Sequence, residues 1–269
     1  MAYSKIIDVH AHIFPEAIAE KAVKAISMFY YSSPMSGNGT VSDLINSGSK
    51  INVYKYVVHS TATKPQQVTA INDFISSVQS QNDCIIGFGT LHPDMSDVNA
   101  EVERMTSLGL KGIKLHPDFQ NFNIDQDNML PIYKAIEGRF PLIMHMGDEN
   151  RTTSHPQKLA KILEMFPKMV VIAAHFGGFM RWNESIEYLV GKNVYFDTSS
   201  TFWKLDKKTI VEMIRKHGVE KILFGSDYPM WGHKDELERF KALGLSEEEE
   251  KLILWENASK LLNIETALQ

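Results

Sequence analysis

Short apolar runs rich in β-branched residues recur along the chain, and after each one apolar positions return at helical spacing. The runs are Ile6–His12, Lys55–Ser60, Ile85–Thr90, Gly112–Pro117, Pro141–Gly147, Met169–Gly178, Val194–Ser200 and Ile222–Pro229. After the first, Ala17 and Ile18 with Ala22, Val23 and Ile26 predict a helix. Further helices are predicted over 41–46, 65–80, 98–108, 130–137, 156–166, 184–190 and 207–216, with two more at 236–243 and 247–262.

After a longer first interval, the runs repeat about every 25 to 30 residues, the length of one strand, one helix and two loops, with little self-similarity between units. Alternating β and α elements imply a parallel sheet. Eight such units in 269 residues predict an α/β fold, a closed (β/α)8 TIM barrel forming a single domain over 1–269. An open doubly wound sheet is the competing arrangement. Two features argue against it: no Gly-x-Gly-x-x-Gly follows the first run, and polar residues sit at nearly all strand ends. No linker rich in Pro, Gly or Ser divides the chain, and the Ser32–Gly39 stretch reads as an excursion bordering the active site.

The polar residues that close these runs carry the chemistry. In the first run, IIDVHAH, His10 and His12 are two apart, so on a strand both imidazoles face one side and can hold one metal ion. With 10 histidines in the chain, such a pair arises by chance roughly 0.4 times, so the motif needs its context. His59, His92, His116, His145 and His175 also lie at or just past predicted strand ends, His155 and His233 lie in the loops that follow, and His217 falls in a helix. In a barrel, those strand ends and loops build the catalytic face. Asp227, in ILFGSDYP, closes the eighth run at the same face, where a carboxylate needs a cation or several donors.

Composition narrows the partners. A formal charge of −5 without a basic stripe gives no reason to expect nucleic acid. Cys84 is the only cysteine, which excludes an intrachain disulfide and favours a reducing compartment. With no signal-like segment and no apolar run of membrane-spanning length, the expectation is a cytoplasmic protein with a small-molecule substrate and no membrane partner, with a homo-oligomer left open.

Taken in order, His-x-His on strand 1, His145 in LIMHMG, His175 in AAHFGG and Asp227 in GSDYP resemble the amidohydrolase superfamily. The closer likeness is to its amidohydrolase-related branch, which includes aminocarboxymuconate-semialdehyde and resorcylate-type decarboxylases. GIKLHP and VYFDTSS are similar to that branch too, and the likeness extends from Ile6 to the helix bearing Trp255, Glu256, Asn257 and Ala258. TatD-type nucleases share His-x-His but carry a glutamate on strand 4.

The resemblance implies a divalent metal on His10, His12, His145 and Asp227, with His175 a catalytic histidine beside it, or a ligand if a second ion is present. One ion is the favoured count. Three imidazoles and a carboxylate suit Zn²⁺ first, with Mn²⁺, Fe²⁺ or Co²⁺ also fitting. The reaction expected first is hydrolysis of a small carboxylate-bearing amide, ester or lactone, with Asp227 as ligand and proton acceptor and His175 orienting water or polarising a substrate oxygen. Zinc can bring bound water from pKa 15.7 to about 7, roughly 12 kcal/mol at about 1.36 kcal/mol per unit, more than the 3 to 5 kcal/mol of a positioned base. The alternatives are non-oxidative decarboxylation of an aromatic or muconate-like acid, and a catalytically silent ligand-binding barrel.

Lys114, His116 and Arg151 are the substrate-binding candidates. Lys114 has three readings: a carboxylated bridge between two metals, a point charge for a substrate carboxylate, or an ammonium reaching solvent at the rim. Arg181 is read as an anion site or a solvated loop charge, and Phe202, Trp203 and Trp231 as a pocket wall or helix packing. Asp197 and Thr198 are read as orienting a ligand from strand 7.

Overall fold

A computed structural model describes residues 5–264. In chain order the elements are β1 (Ile6–His12), α1 (Glu16–Phe29), α2 (Val41–Ser49), β2 (Val53–His59), α3 (Val68–Gln81), β3 (Ile85–Gly89), α4 (Val98–Ser107), β4 (Gly112–Leu115), α5 (Pro117–Gln120), α6 (Leu130–Ile136), β5 (Leu142–Met144), α7 (Pro156–Met165), β6 (Val171–Ala173), α8 (Trp182–Tyr188), β7 (Tyr195–Asp197), α9 (Lys207–His217), β8 (Ile222–Leu223), α10 (His233–Lys241), α11 (Glu247–Lys251) and α12 (Asn257–Leu261). A π-helical turn, Leu252–Glu256, joins α11 to α12 inside the one long helix expected over 247–262.

The eight strands form one sheet in chain order, β1 through β8. Beside β8, backbone bonds return to β1: Val9 N–H donates to Phe224 O at 2.9 Å, Asp227 N–H to His10 O at 2.8 Å, and His12 N–H to Tyr228 O at 2.6 Å. Consecutive order with the last strand bonded to the first is the (β/α)8 barrel. Among the described residues, no helix is long and apolar enough to cross a membrane.

Contacts group the chain into two compact units, one joining the residues up to Val58 to those from Thr198 onward, the other running His59–Asp197. In the first, β1 is buried at every position, as expected of a strand covered on both faces. Its helices carry clear end signals: Asp206 caps α9 by accepting from Thr209 N–H, and Arg215, Lys216 and His217 occupy the last turn, where cations meet the negative end of the helix.

In the second unit, β3 to β7 pair in parallel, with Lys114 opposite Ile143 and Ile143 opposite Ile172. Helix α7 buries Leu159, Ala160 and Ile162, and His155 caps it by accepting from Gln157 N–H. On α3, Asn72 is fully buried because its amide bridges Thr90 N–H, Thr90 O and Glu101.

Strands six and eight are shorter than their apolar runs suggest. Strands β6 and β8 end at Ala173 and Leu223, and the residues that follow include left-handed φ values of 60° at His175, 52° at Phe176 and 62° at Asp227. Hydrophobicity continues beyond those points, but the pleat does not.

Candidate metal centre

In the first unit, β1 directs His10 and His12 to one side, with ring centroids 5.3 Å apart. Both Nε2 atoms face the same carboxylate oxygen, Asp227 Oδ1, at 3.3 and 3.4 Å. These separations are long for hydrogen bonds to nitrogen. They match two ligands on one ion: with bonds of about 2.1 Å and a tetrahedral angle, donor atoms stand about 3.4 Å apart. The donor set of two neutral imidazoles and a carboxylate therefore fits a divalent metal. The other nitrogen of His10, Nδ1, meets Ser199 Oγ at 3.0 Å, and with Nδ1–H donating to that hydroxyl Nε2 would face the ion.

Beneath this vertex lies Asp8, fully buried, a residue absent from the sequence reading. Its Oδ1 accepts from His10 N–H and Ser226 N–H, each at 3.0 Å. Its Oδ2 accepts from Ser226 Oγ at 2.6 Å and lies 3.0 Å from His233 Nε2. One carboxylate thus ties the His-x-His strand to the segment carrying Asp227. His233, expected in a loop beside the catalytic face, is instead the first residue of α10; its ring is fully buried between Asp8 and Ser47. The imidazole is there to satisfy a buried acid.

Asp227 Oδ2 accepts from Ser200 Oγ, and Ser200 in turn accepts from Trp231 Nε1–H at 2.9 Å. Asp227 and His12 keep 13% and 11% of their side-chain surface exposed, whereas His10 keeps none, so the vertex opens on the Asp227 and His12 side.

In the second unit, His145 follows β5 and His175 follows β6. His145 Nδ1 and His175 Nε2 are 3.0 Å apart. The opposite edge of His145, Nε2, lies 3.4 Å from Asp118 Oδ2. Asp118 accepts from the hydroxyls of Thr153 and Ser154. Burial pushes its carboxyl above the usual range, and those two hydroxyls hold it partly down. His175 is fixed through its backbone: its N–H donates to Asp197 Oδ1 at 3.1 Å and its carbonyl accepts from Trp182 Nε1 at 3.0 Å. Asp197 therefore orients a histidine. Gly147, with φ 72°, has no room for a side chain, since an added Cβ would sit 2.8 Å from the Gly178 carbonyl carbon and the Phe179 carbonyl oxygen. That contact draws the loop after His145 against the loop after His175.

His116 caps α5, its Nδ1 accepting from Phe119 N–H at 3.3 Å, and its ring lies sandwiched between Phe119 and His145 at 3.7 and 3.8 Å. Lys114 is fully buried in β4, which overturns the reading of an ammonium at the solvent rim. Arg151 is exposed, in a short bridge with Asp148. Arg181 is neither an anion site nor a solvated charge: its guanidinium grips the carbonyls of Asp148, Glu149 and Arg151 and pairs with Glu184. Phe202 packs on Phe240 of α10, while Trp203 stacks on Trp231.

Asp118 and Asp8 escaped sequence reading for the same reason. Each acts through another side chain, and only an acid within an otherwise apolar or prolyl context, as in IIDVHAH and KLHPDF, hinted at them.

A search of curated proteins gives no match. Among solved structures, 5-carboxyvanillate decarboxylase from Sphingomonas paucimobilis superposes with a TM-score of 0.73 at 16% identity, covering 98% of this chain and 100% of that one. Dihydroxybenzoic acid decarboxylase from Polaromonas, with bound manganese and the inhibitor 2-nitroresorcinol, gives 0.74 at 16%, covering 98% of each. A 2,6-dihydroxybenzoate decarboxylase from Rhizobium gives 0.73 at 15%, covering 97% and 99%. At these identities the likeness establishes the fold. The amidohydrolase family model matches residues 7–264, nearly the whole described chain, and the protein belongs to that family.

Proposed function

We propose that this protein is a metal-dependent carboxy-lyase that removes CO₂ from an aromatic or enoic acid, with one divalent ion held by His10, His12, His145 and Asp227. The observation that carries the reading is the convergence of two imidazoles on a single Asp227 oxygen at ligand–ligand spacing. The three decarboxylases of like fold move the chemistry from hydrolysis toward decarboxylation. Manganese in one of them brings Mn²⁺ level with Zn²⁺ as the ion to test.

Bound there, the ion would supply positive charge for the oxygens of an acidic substrate. The protein does the rest. Lys114, buried in β4, supplies a second positive charge for the substrate carboxylate. His116, stacked behind His145, keeps that ring in plane and lines the same strand end, and Arg151 draws anions from the exposed loop. Loss of CO₂ leaves an electron pair on the substrate carbon, so one proton must reach that carbon while the carboxylate departs. Asp227, the partly exposed carboxylate of the vertex, delivers that proton and regains it from solvent; His175 holds the substrate oxygen.

Hydrolysis of a carboxylate-bearing lactone, ester or amide is the second reading. It uses the same groups with the proton moving the other way, from water to Asp227.

The experiment is incubation of Mn²⁺- and Zn²⁺-loaded protein with a panel of hydroxybenzoates, muconate-like acids and carboxylated lactones, with released CO₂ and carbon balance followed together. Stoichiometric CO₂ that disappears on chelation supports the lyase. A product that retains every carbon and gains water selects the hydrolase. No turnover with any acid by a metal-replete protein counts against both.

A further inference from the structure

We propose that Ser200 is a positioning residue that holds Asp227 as a one-oxygen ligand and that the Trp231 indole sets the direction of its hydroxyl. This assignment rests on the reading of Asp227 as a metal ligand.

An indole nitrogen only donates. Trp231 Nε1 lies 2.9 Å from Ser200 Oγ, so the hydroxyl must accept there. The single hydroxyl hydrogen is then left for Asp227 Oδ2, the partner of the oxygen that faces His10 and His12. The alternative acceptor is the Met230 sulfur at 3.6 Å, a weak one. Asp227 is thereby split: Oδ2 is committed to a hydroxyl and Oδ1 faces the imidazole pair.

The device is anchored on every side. Ser200 is 1% exposed and has a φ of 48°, a conformation that costs a serine about 1 to 3 kcal/mol and persists only where its surroundings enforce it. Two indoles enforce it: Trp203 Nε1 donates to the Ser200 carbonyl at 3.0 Å, and Trp231 donates to its side chain. The two rings stack at 6.2 Å, and the Arg239 guanidinium covers the Trp231 face at 4.5 Å. Arg239 is itself held by Glu236, buried on the same helix. Asp227 shares the left-handed backbone, with φ 62°. Partners of a metal-bound carboxylate change metal affinity by about 10- to 100-fold when removed.

The test is Mn²⁺ titration of metal-free full-length protein by calorimetry, with Co²⁺ absorption spectra in parallel. Wild type, Ser200→Ala, Trp231→Phe and Asp227→Asn are compared. Ser200→Ala should weaken Mn²⁺ binding about 10- to 100-fold. It should also change the visible Co²⁺ band, because a released Oδ2 can join the ion and raise its coordination number. Trp231→Phe keeps a ring in place but removes the N–H, and should shift both readouts the same way by less. Metal-free melting temperatures within about 2 °C of wild type would show that the fold is intact. If Asp227→Asn binds Mn²⁺ as wild type does, the ligand reading itself fails. If Asp227→Asn is weakened while Ser200→Ala matches wild type in affinity and spectrum, the positioning role is overturned. If Ser200→Ala is weakened and Trp231→Phe is not, the part given to the indole is overturned.

Discussion

Asp118 Oδ2 lies 3.4 Å from His145 Nε2, on the ring edge opposite the nitrogen that faces His175. At that distance the carboxylate acts on the ring through its charge and not through a hydrogen bond, and outer carboxylates of this kind tune metal-binding histidines. Asp118→Asn keeps the volume and both hydroxyl contacts but removes the charge. It should lower metal affinity and turnover by about 10- to 100-fold with little loss of fold. Metal content after dialysis at a fixed free Mn²⁺ concentration checks this.

Lys114 offers a test of ion count. It is fully buried, so Lys114→Met, of similar length, fills its space where Lys114→Ala would leave a cavity. If Lys114 binds the substrate carboxylate, the methionine variant keeps one ion per chain. Its KM should rise by about 10- to 100-fold, corresponding to a charge-assisted bond of about 1.5 to 3 kcal/mol. Elemental analysis and steady-state kinetics decide. A fall in bound metal would instead place Lys114 among the ligands.

Asp8 predicts a stability effect. Removing a buried carboxylate that serves His10 N–H, both Ser226 groups and His233 leaves those polar groups without their acceptor. Asp8→Ala should cost about 3 kcal/mol or more in urea unfolding of the metal-free protein. It should weaken metal binding as well, since β1 loses its tie to the Asp227 segment.

Glu236 predicts a pH dependence. It is 1% exposed, and Oε2 has no hydrogen-bond partner among the described residues. Burial pushes its pKa up to about 8, outweighing the opposing pull of Arg239. The folded state therefore holds this proton at pH values where the unfolded chain, near 4.5, has released it. The stabilisation is complete below about pH 4.5 and is lost as pH rises toward 8. Glu236→Gln should flatten that part of the curve, on the order of a few kcal/mol across the window. Melting temperatures of both metal-free proteins from pH 5 to 9 provide the comparison.

Much of this molecule is legible from its sequence because barrel strands are short and buried on both faces. The run Ile6–His12 is the strand, end for end, and the helices at 41, 98, 130, 156 and 207 begin where their periodicity begins. Strand ends were less legible. Apolar content says nothing about φ, so the left-handed turns at His175 and Asp227 stayed hidden inside hydrophobic runs. Ligand candidates showed themselves as polar residues in apolar company. Their supports did not: Ser200 sits in a plain TSST, and its importance lies in an indole 31 positions away. His233 and Arg181 misled for a related reason, since an ionisable side chain near the catalytic end serves a buried acid or a loop carbonyl as readily as a substrate.

Ser226 and Asp8, bonded across the β1–β8 seam, stand 218 positions apart. A chain emerging from the ribosome therefore exposes His10 and His12 long before Asp227 exists to join them. Cation capture becomes a late event in biosynthesis, and a product truncated before β8 would carry the histidine pair without its acidic counterpart.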